Sequence, residues 1–416
     1  MPDSWYKVDN VAKVFLATAS PRDPRVFRIS CTLNEEIDPA VLNEALRTTA
    51  QEWPQFQVTL HRGLFWHYFE STDLLPTAQP ENKAPCAPLY TPERRNKLIY
   101  RVTYFGARIN LEMFHAVTDG NGGLLYLKSI VRNYLALRHP SELDSVPSPN
   151  SASAADRVQD SFRNFYEGSR REKHAEKVKV YRPHGMRLPY NQLQFFEGHL
   201  SAKQVLERSR ALGVSMTSYL GTRFMLAIYH DMPALERKKP ICISLPVNLR
   251  NYYPSETARN FFNSVYVTHT LTDADTPETV APVFDAKLKE VLKPENIRAQ
   301  MDEYEKLEHM PGIRPVPLVI KNAAVKFFTR LEDRHVTAVV SNMGRITVPE
   351  ELQSYIHSFA AFSSCKTLFT VVCSYGDDLV LGTASALRST AILQRFYREL
   401  AKDGVDVALY ATEVEK

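Results

Sequence analysis

Apolar positions along the chain follow two periods, and the switches between them mark out the elements. In residues 37–53, IDPAVLNEALRTTAQEW, Val41, Leu42, Ala45 and Leu46 recur at the three-and-four spacing of one helical face. Asp38 stands where an N-cap belongs and Pro39 suits the first helical position, so an amphipathic helix is predicted. Residues 97–116, KLIYRVTYFGARINLEMFHA, alternate instead through Leu98, Tyr100, Val102 and Tyr104. They turn at FGAR and resume with Ile109, Leu111 and Met113, the pattern of a hairpin. Its second strand runs into His115. Leu124, Leu127, Val131 and Tyr134 then restore the helical period, with Lys128 and Arg132 on the other side. The stretch between, FHAVTDGNGG, is therefore expected to be a strand-to-helix turn.

Farther along, SAKQVLERSRALG predicts a helix in which Ser201 and Gln204 form a capping box and Gly213 follows the end. SMTSYLGTRFMLAIYHDM predicts a second helix. Strands are expected at PICISLPVNLR, FNSVYVTHTL, HVTAVVSN and TLFTVVCSYGDDLVLGTAS, with helices at TPETVAPVFDAKLKEVL and RSTAILQRFYREL. From about 138 to 190 the composition turns to Pro, Ser and Asp and then to the charge run EGSRREKHAEKVKV, which reads as a long exposed crossover. A chain of 416 residues exceeds the size at which single cores stop growing. The expected fold class is therefore α/β with two domains, residues 1–175 including the start of the crossover and residues 176–416. Each combines a sheet with helices.

Composition narrows the function classes. A net charge of +4 is small for this length, and no basic cluster interleaves with aromatics as a nucleic-acid groove needs, so no nucleic acid is expected as partner. The longest apolar runs, TAVVSNM and TLFTVVCSY, fall well short of the about 18 residues of a membrane span. The start, MPDSWYKVDN, has neither the basic stretch nor the apolar core of a secretory signal, which points to the cytosol. Cys31, Cys86, Cys242, Cys365 and Cys373 are odd in number, scattered and never in a CxxC pair, so reduced, mostly buried thiols are expected.

The turn carries the candidate chemistry. His115 and Asp119 lie four apart, and Gly120, Gly122 and Gly123 take three of the chain's 15 glycines within four residues. On a helix that spacing would share one face and suit a metal, but the glycines oppose helix here and no third ligand is near. No metal is expected. The glycines are instead expected to let the backbone take positive φ and approach a bound substrate.

HAVTDG, residues 115–120, matches the HxxxDG motif of the chloramphenicol acetyltransferase-like superfamily. That superfamily includes plant acyltransferases, alcohol acetyltransferases, mycobacterial polyketide-associated acyltransferases and peptide-synthetase condensation domains. A second segment, ISLPVNLRNYYPSETARNFFNSVYV at 243–267, resembles the strand, arginine, loop and GxFxN stretch of these families, with Arg250 and Asn263 on the family's arginine and asparagine. The resemblance spans nearly the full chain and is closest in style to bacterial alcohol acetyltransferases. Two features depart from it: Asn260 stands where glycine is common, and the plant family's DFGWG is absent.

The resemblance implies two related subdomains, each a mixed sheet flanked by helices, with an active-site channel at their interface. It implies that His115 is the general base for an acceptor attacking a thioester. Asp119, followed by Gly120, would turn away from the substrate to pair with Arg250. Asn263, Ser264, Ser341 and Asn342 become candidates to bind the oxyanion or line the channel. Acyl-CoA would be a co-substrate rather than a permanently bound cofactor, with an alcohol as acceptor and an amine as first alternative. Two competing expectations are a condensation-type enzyme drawing its acyl group from an acyl carrier protein, and an inactive ligand-binding relative. Condensation domains usually carry a second histidine directly before the motif's own, where this chain has Phe114.

Overall fold

Local signals and long-range pairing agree over most of the chain in the computed structural model, which describes residues 5–91, 94, 96–143, 146–148, 152–168, 178–189, 192–306 and 315–412. Asp38 accepts from the backbone of Ala40 and Val41, Pro39 opens the helix Pro39–Glu52, and Leu42, Ala45 and Leu46 are buried. The hairpin forms from Tyr100–Phe105 and Arg108–Phe114, with Tyr100 opposite Met113 and Gly106 at positive φ in the turn. The helix Gly120–Arg138 follows.

Among the described residues the strands make two large mixed sheets and a small one. The front sheet runs in the order Ile356–Ser363, Val26–Leu33, Arg108–Phe114, Tyr100–Phe105, Gln79–Pro80. The back sheet runs Phe262–His269, Ile241–Asn248, Ala338–Arg345, Leu368–Tyr375, Asp378–Ser385, Gln194–Ser201, Val407–Ala411. Ala338–Arg345 is parallel to both of its neighbours, whereas the other back-sheet pairs are antiparallel. Trp5–Lys7, His67–Ser71 and Val58–Arg62 form the small sheet. Helices Pro39–Glu52 and Gly120–Arg138 contribute to the front core, and helices Met216–Asp231, Pro277–Val291 and Ala391–Lys402 to the back core.

The two halves of the chain interlock. Ile356–Ser363, late in the sequence, pairs antiparallel with Val26–Leu33. It also crosses close to Asp378–Ser385, where Gly382 is needed because a Cβ there would overlap the Ala361 carbonyl oxygen. The front core accordingly includes Phe195, Val371, Val380 and Ala384 from the back sheet.

The expected boundary between 175 and 176 and much of the charge run lie outside the described residues. The part of the crossover before it is not an exposed tether: Phe162 is buried, and Ala258 donates its N–H to the Arg157 carbonyl at 2.8 Å. The capping box at Ser201 is only half formed. Its hydroxyl accepts from the Gln204 N–H, but the Gln204 side chain bonds Asp406 instead of turning back. The five cysteines are buried and unbridged, and burial raises each thiol's pKa. Among the described residues no helix is long and apolar enough to cross a membrane.

Candidate functional site

His115 follows directly on the strand Arg108–Phe114, and its backbone N–H is held by the Arg25 carbonyl at 2.8 Å. Its imidazole is half-buried among aromatic rings from both halves of the chain. Phe15 lies 4.3 Å away between ring centroids, Phe27 5.0 Å and Phe262, on the edge strand of the back sheet, 5.6 Å. Removal from water disfavours the imidazolium and lowers its pKa. Asp119, the ring's own backbone and Asn260 oppose that shift, and Arg25 adds to it.

Asp119 is the N-cap of the helix Gly120–Arg138, with Oδ1 accepting from the Gly122 N–H at 3.0 Å. Oδ2 accepts from Arg250 Nη1 at 2.7 Å and from the Phe261 N–H at 2.9 Å. Arg250 sits in a single 3₁₀ turn, Leu249–Asn251, just past the strand Ile241–Asn248. The rest of its guanidinium donates to the carbonyls of Thr257 and Arg259 at 2.7–3.0 Å. It therefore gathers the loop 255–261 against the turn that carries His115. A solvated strand-end arginine would show none of these contacts.

The glycine cluster differs from expectation. Gly120, Gly122 and Gly123 form the first turn of the helix, and none has positive φ. Helix is tolerated here because protein packs where side chains would stand. A Cβ on Gly122 would overlap the Thr118 hydroxyl and the Ala258 carbonyl, and one on Gly123 would lie 2.7 Å from the Phe27 ring. Thr118 Oγ1 donates to that same Ala258 carbonyl at 2.5 Å. Close approach is real at Gly122 and Gly123, but protein backbone and side chain, not a ligand, make it. Gly120 is looser, with Met343 as its nearest neighbour at 3.7 Å.

The four candidate oxyanion residues separate. Phe262 and Ser264 share one face of their strand, and Phe262 touches the imidazole. Asn263 is on the opposite, buried face with Val265 and Val267. Its Oδ1 accepts from the Ser264 N–H, whereas its Nδ2 is buried without a protein partner. Asn342 is exposed and donates to Thr217 at 2.9 Å. Ser341 is half-buried opposite Val371, just before the bulge that presents Met343.

Two residues that periodicity did not single out complete the arrangement. Asn260 is buried, with Oδ1 3.2 Å from His115 Nδ1 and Nδ2 donating to Asp9 Oδ2 at 3.2 Å. Counted back four residues from Asn263, the glycine of GxFxN falls on Arg259 and not on Asn260, so the expected departure at Asn260 was one residue out and gave no signal for its role. Nothing in the sequence marked Asp9. Among the described residues no group of three or more His, Cys, Asp or Glu side chains is placed to hold a metal ion.

No protein-family model matches the chain, and no curated protein matches it. Solved structures do. TRI101 of F. graminearum, complexed with ethyl coenzyme A, is 12% identical with a TM-score of 0.63, over 97% of this chain and 100% of that one. TRI3, the trichothecene 15-O-acetyltransferase of Fusarium sporotrichioides, is 12% identical with a TM-score of 0.62, over 96% and 94%. The first condensation domain of the CDA synthetase is 15% identical with a TM-score of 0.58, over 97% and 99%. At identities this low the likeness is one of fold.

Proposed function

Starting from the chloramphenicol acetyltransferase-like fold that this chain shares with acetyltransferases and condensation domains, we propose that it is a cytosolic acyltransferase moving an acyl group from acyl-CoA to an alcohol. In this reading His115 Nε2 takes the hydroxyl proton as the acceptor oxygen forms its bond to the thioester carbonyl carbon. The tetrahedral intermediate collapses by breaking the carbon–sulfur bond, and the imidazolium returns its proton to the departing thiolate. No enzyme-bound acyl group is needed, because a thioester is already activated. Ser264, on the face of Phe262, is assigned to the oxyanion. The donor and acceptor would meet in a channel between the two halves.

One observation supports this most. The imidazole is contacted from both halves of the chain, by Phe15 and Phe27 on one side and by Asn260 and Phe262 on the other. The carboxylate that caps the next helix is locked to Arg250. A base so held, with burial pulling its pKa down, is neutral near pH 7 and ready to accept a proton.

The purified protein, given acyl-CoA and a panel of alcohols and amines, is expected to release free thiol only when an acceptor is present, and His115→Ala is expected to abolish the release. Activity confined to amines would replace the acceptor class. Silence with CoA donors together with turnover of an acyl carrier protein would move the assignment to a condensation enzyme. Silence with both would sink the transferase.

A further inference from the structure

The side chain hydrogen-bonded to Nδ1 of the base is Asn260. We propose that Asn260, oriented by Asp9, is a positioning residue that fixes His115 in the tautomer with Nδ1 protonated and Nε2 bare. The proposal rests on His115 being the base of the acyl-transfer reading.

Hydrogen-bond valence dictates the orientation of each group. An asparagine amide presents an NH₂ that only donates and an oxygen that only accepts. Asp9 and Asn260 are both buried, at 2% exposure each. Burial raises the Asp9 pKa, and Arg259, the Ala12 N–H and the Asn260 amide pull against that rise. In its ionised form the carboxylate only accepts, so Oδ2 takes the NH₂ at 3.2 Å and turns the amide oxygen toward His115 Nδ1, also at 3.2 Å. That oxygen is satisfied only by an N–H. With the proton kept on Nδ1, the lone pair is left on Nε2.

Asp9 is itself fixed. Its Oδ1 caps the helix Asn10–Thr18 by accepting from the Ala12 N–H at 2.7 Å. The same helix carries Phe15, whose ring lies on the imidazole. Arg259 Nε, 3.8 Å from Asp9 Oδ2, offsets its charge, and Arg259 is tethered by donating to the Lys7 carbonyl at 2.6 Å. One helix start therefore sets both the ring's stacking partner and its hydrogen-bond partner.

An amide is a better neighbour for this base than a carboxylate would be. A carboxylate on Nδ1 would favour the imidazolium and keep the base protonated to higher pH, whereas a neutral amide orients the ring with less change in basicity. The charged groups around the ring are Asp119, which favours the imidazolium, and Arg25, which opposes it, with Asp9 and Arg259 behind Asn260. The ring's own backbone also favours the imidazolium, and substitutions along the relay isolate what Asn260 contributes.

Three variants do so: Asn260→Ala, Asn260→Asp, and Asp9→Asn, which keeps a good helix cap while making the amide's orientation ambiguous. The readouts are the His115 tautomer by ¹⁵N NMR and the pH profile of kcat and KM. The expected results are a loss of about tenfold or more in kcat for Asn260→Ala with an unchanged donor KM, and an NMR spectrum showing both tautomers. Asp9→Asn is expected to fall between it and the parent, and Asn260→Asp to move the acid limb of the profile upward. A parent-like tautomer and kcat in both Asn260→Ala and Asp9→Asn would overturn the proposal. So would kcat losses that track unfolding with the tautomer unchanged. The NMR arm needs no substrate: if the parent transfers no acyl group, a tautomer locked in the parent and released in Asn260→Ala still supports the positioning role, and one equally locked in both refutes it.

Discussion

Asp119 does three structural jobs with two oxygens: it caps a helix, accepts the Phe261 N–H and neutralises Arg250. The His115 side chain has no comparable share in the scaffold, being held by ring contacts and one amide. The two substitutions should therefore separate stability from rate. Asp119→Ala leaves a largely buried guanidinium without its carboxylate and is expected to lose about 3–5 kcal/mol in chemical denaturation. His115→Ala is expected to melt close to the parent while losing about 10²- to 10⁴-fold in kcat/KM. A His115→Ala protein that unfolds as readily as Asp119→Ala would show the ring to be packing rather than chemistry.

At the scale of elements, the start of the helix Gly120–Arg138 lacks side chains because two neighbours occupy their place. Gly122→Ala would drive a methyl into Thr118 and the Ala258 carbonyl, whereas Gly120→Ala would meet nothing closer than 3.7 Å. Overpacking of this kind loses about 1–3 kcal/mol, and alanine is otherwise the better helix former. Thermal melts should therefore rank Gly122→Ala well below the parent and Gly120→Ala at or near it. Equal melting of the two would mean that the loop 255–261 yields without penalty.

Across the whole molecule, a largely buried ion cluster ties the sheets together. Arg108, on the front hairpin, makes a two-pronged bond to Glu197 of the back sheet at 2.6 and 2.7 Å. His199 bridges Glu197 at 2.9 Å and Asp378 at 3.0 Å. Burial acts against the charged forms, but the His199 and Arg108 hydrogen bonds overcome it and hold Glu197 down at about 2. Asp378 and Glu197 likewise overcome burial and raise His199 to about 9. A histidine whose folded pKa is raised stabilises fully below its unfolded value near 6.5, and that contribution fades as pH rises through about 9. Denaturation midpoints should therefore decline as pH rises from 6.5 to about 9, and His199→Gln should flatten that slope. A slope unchanged by His199→Gln would exclude the cluster as its source.

Local information was enough for the elements. The apolar period, Asp38 with Pro39, and FGAR with Gly106 predicted the helix Pro39–Glu52 and the hairpin into His115, because caps, turns and burial stripes act within a few residues. The pairing of Asp119 with Arg250 was implied by the family resemblance and not by local information. Local information did not say that Ile356–Ser363 would join the front sheet, since an apolar strand reads the same in either sheet. It did not reveal that Gly122 makes room for the Ala258 carbonyl, nor that Asp9 reaches His115 through Asn260. Those are contacts between residues with no periodic relation to one another. Chain closure alone brings them within hydrogen-bond reach, which is why only the tertiary structure decided them.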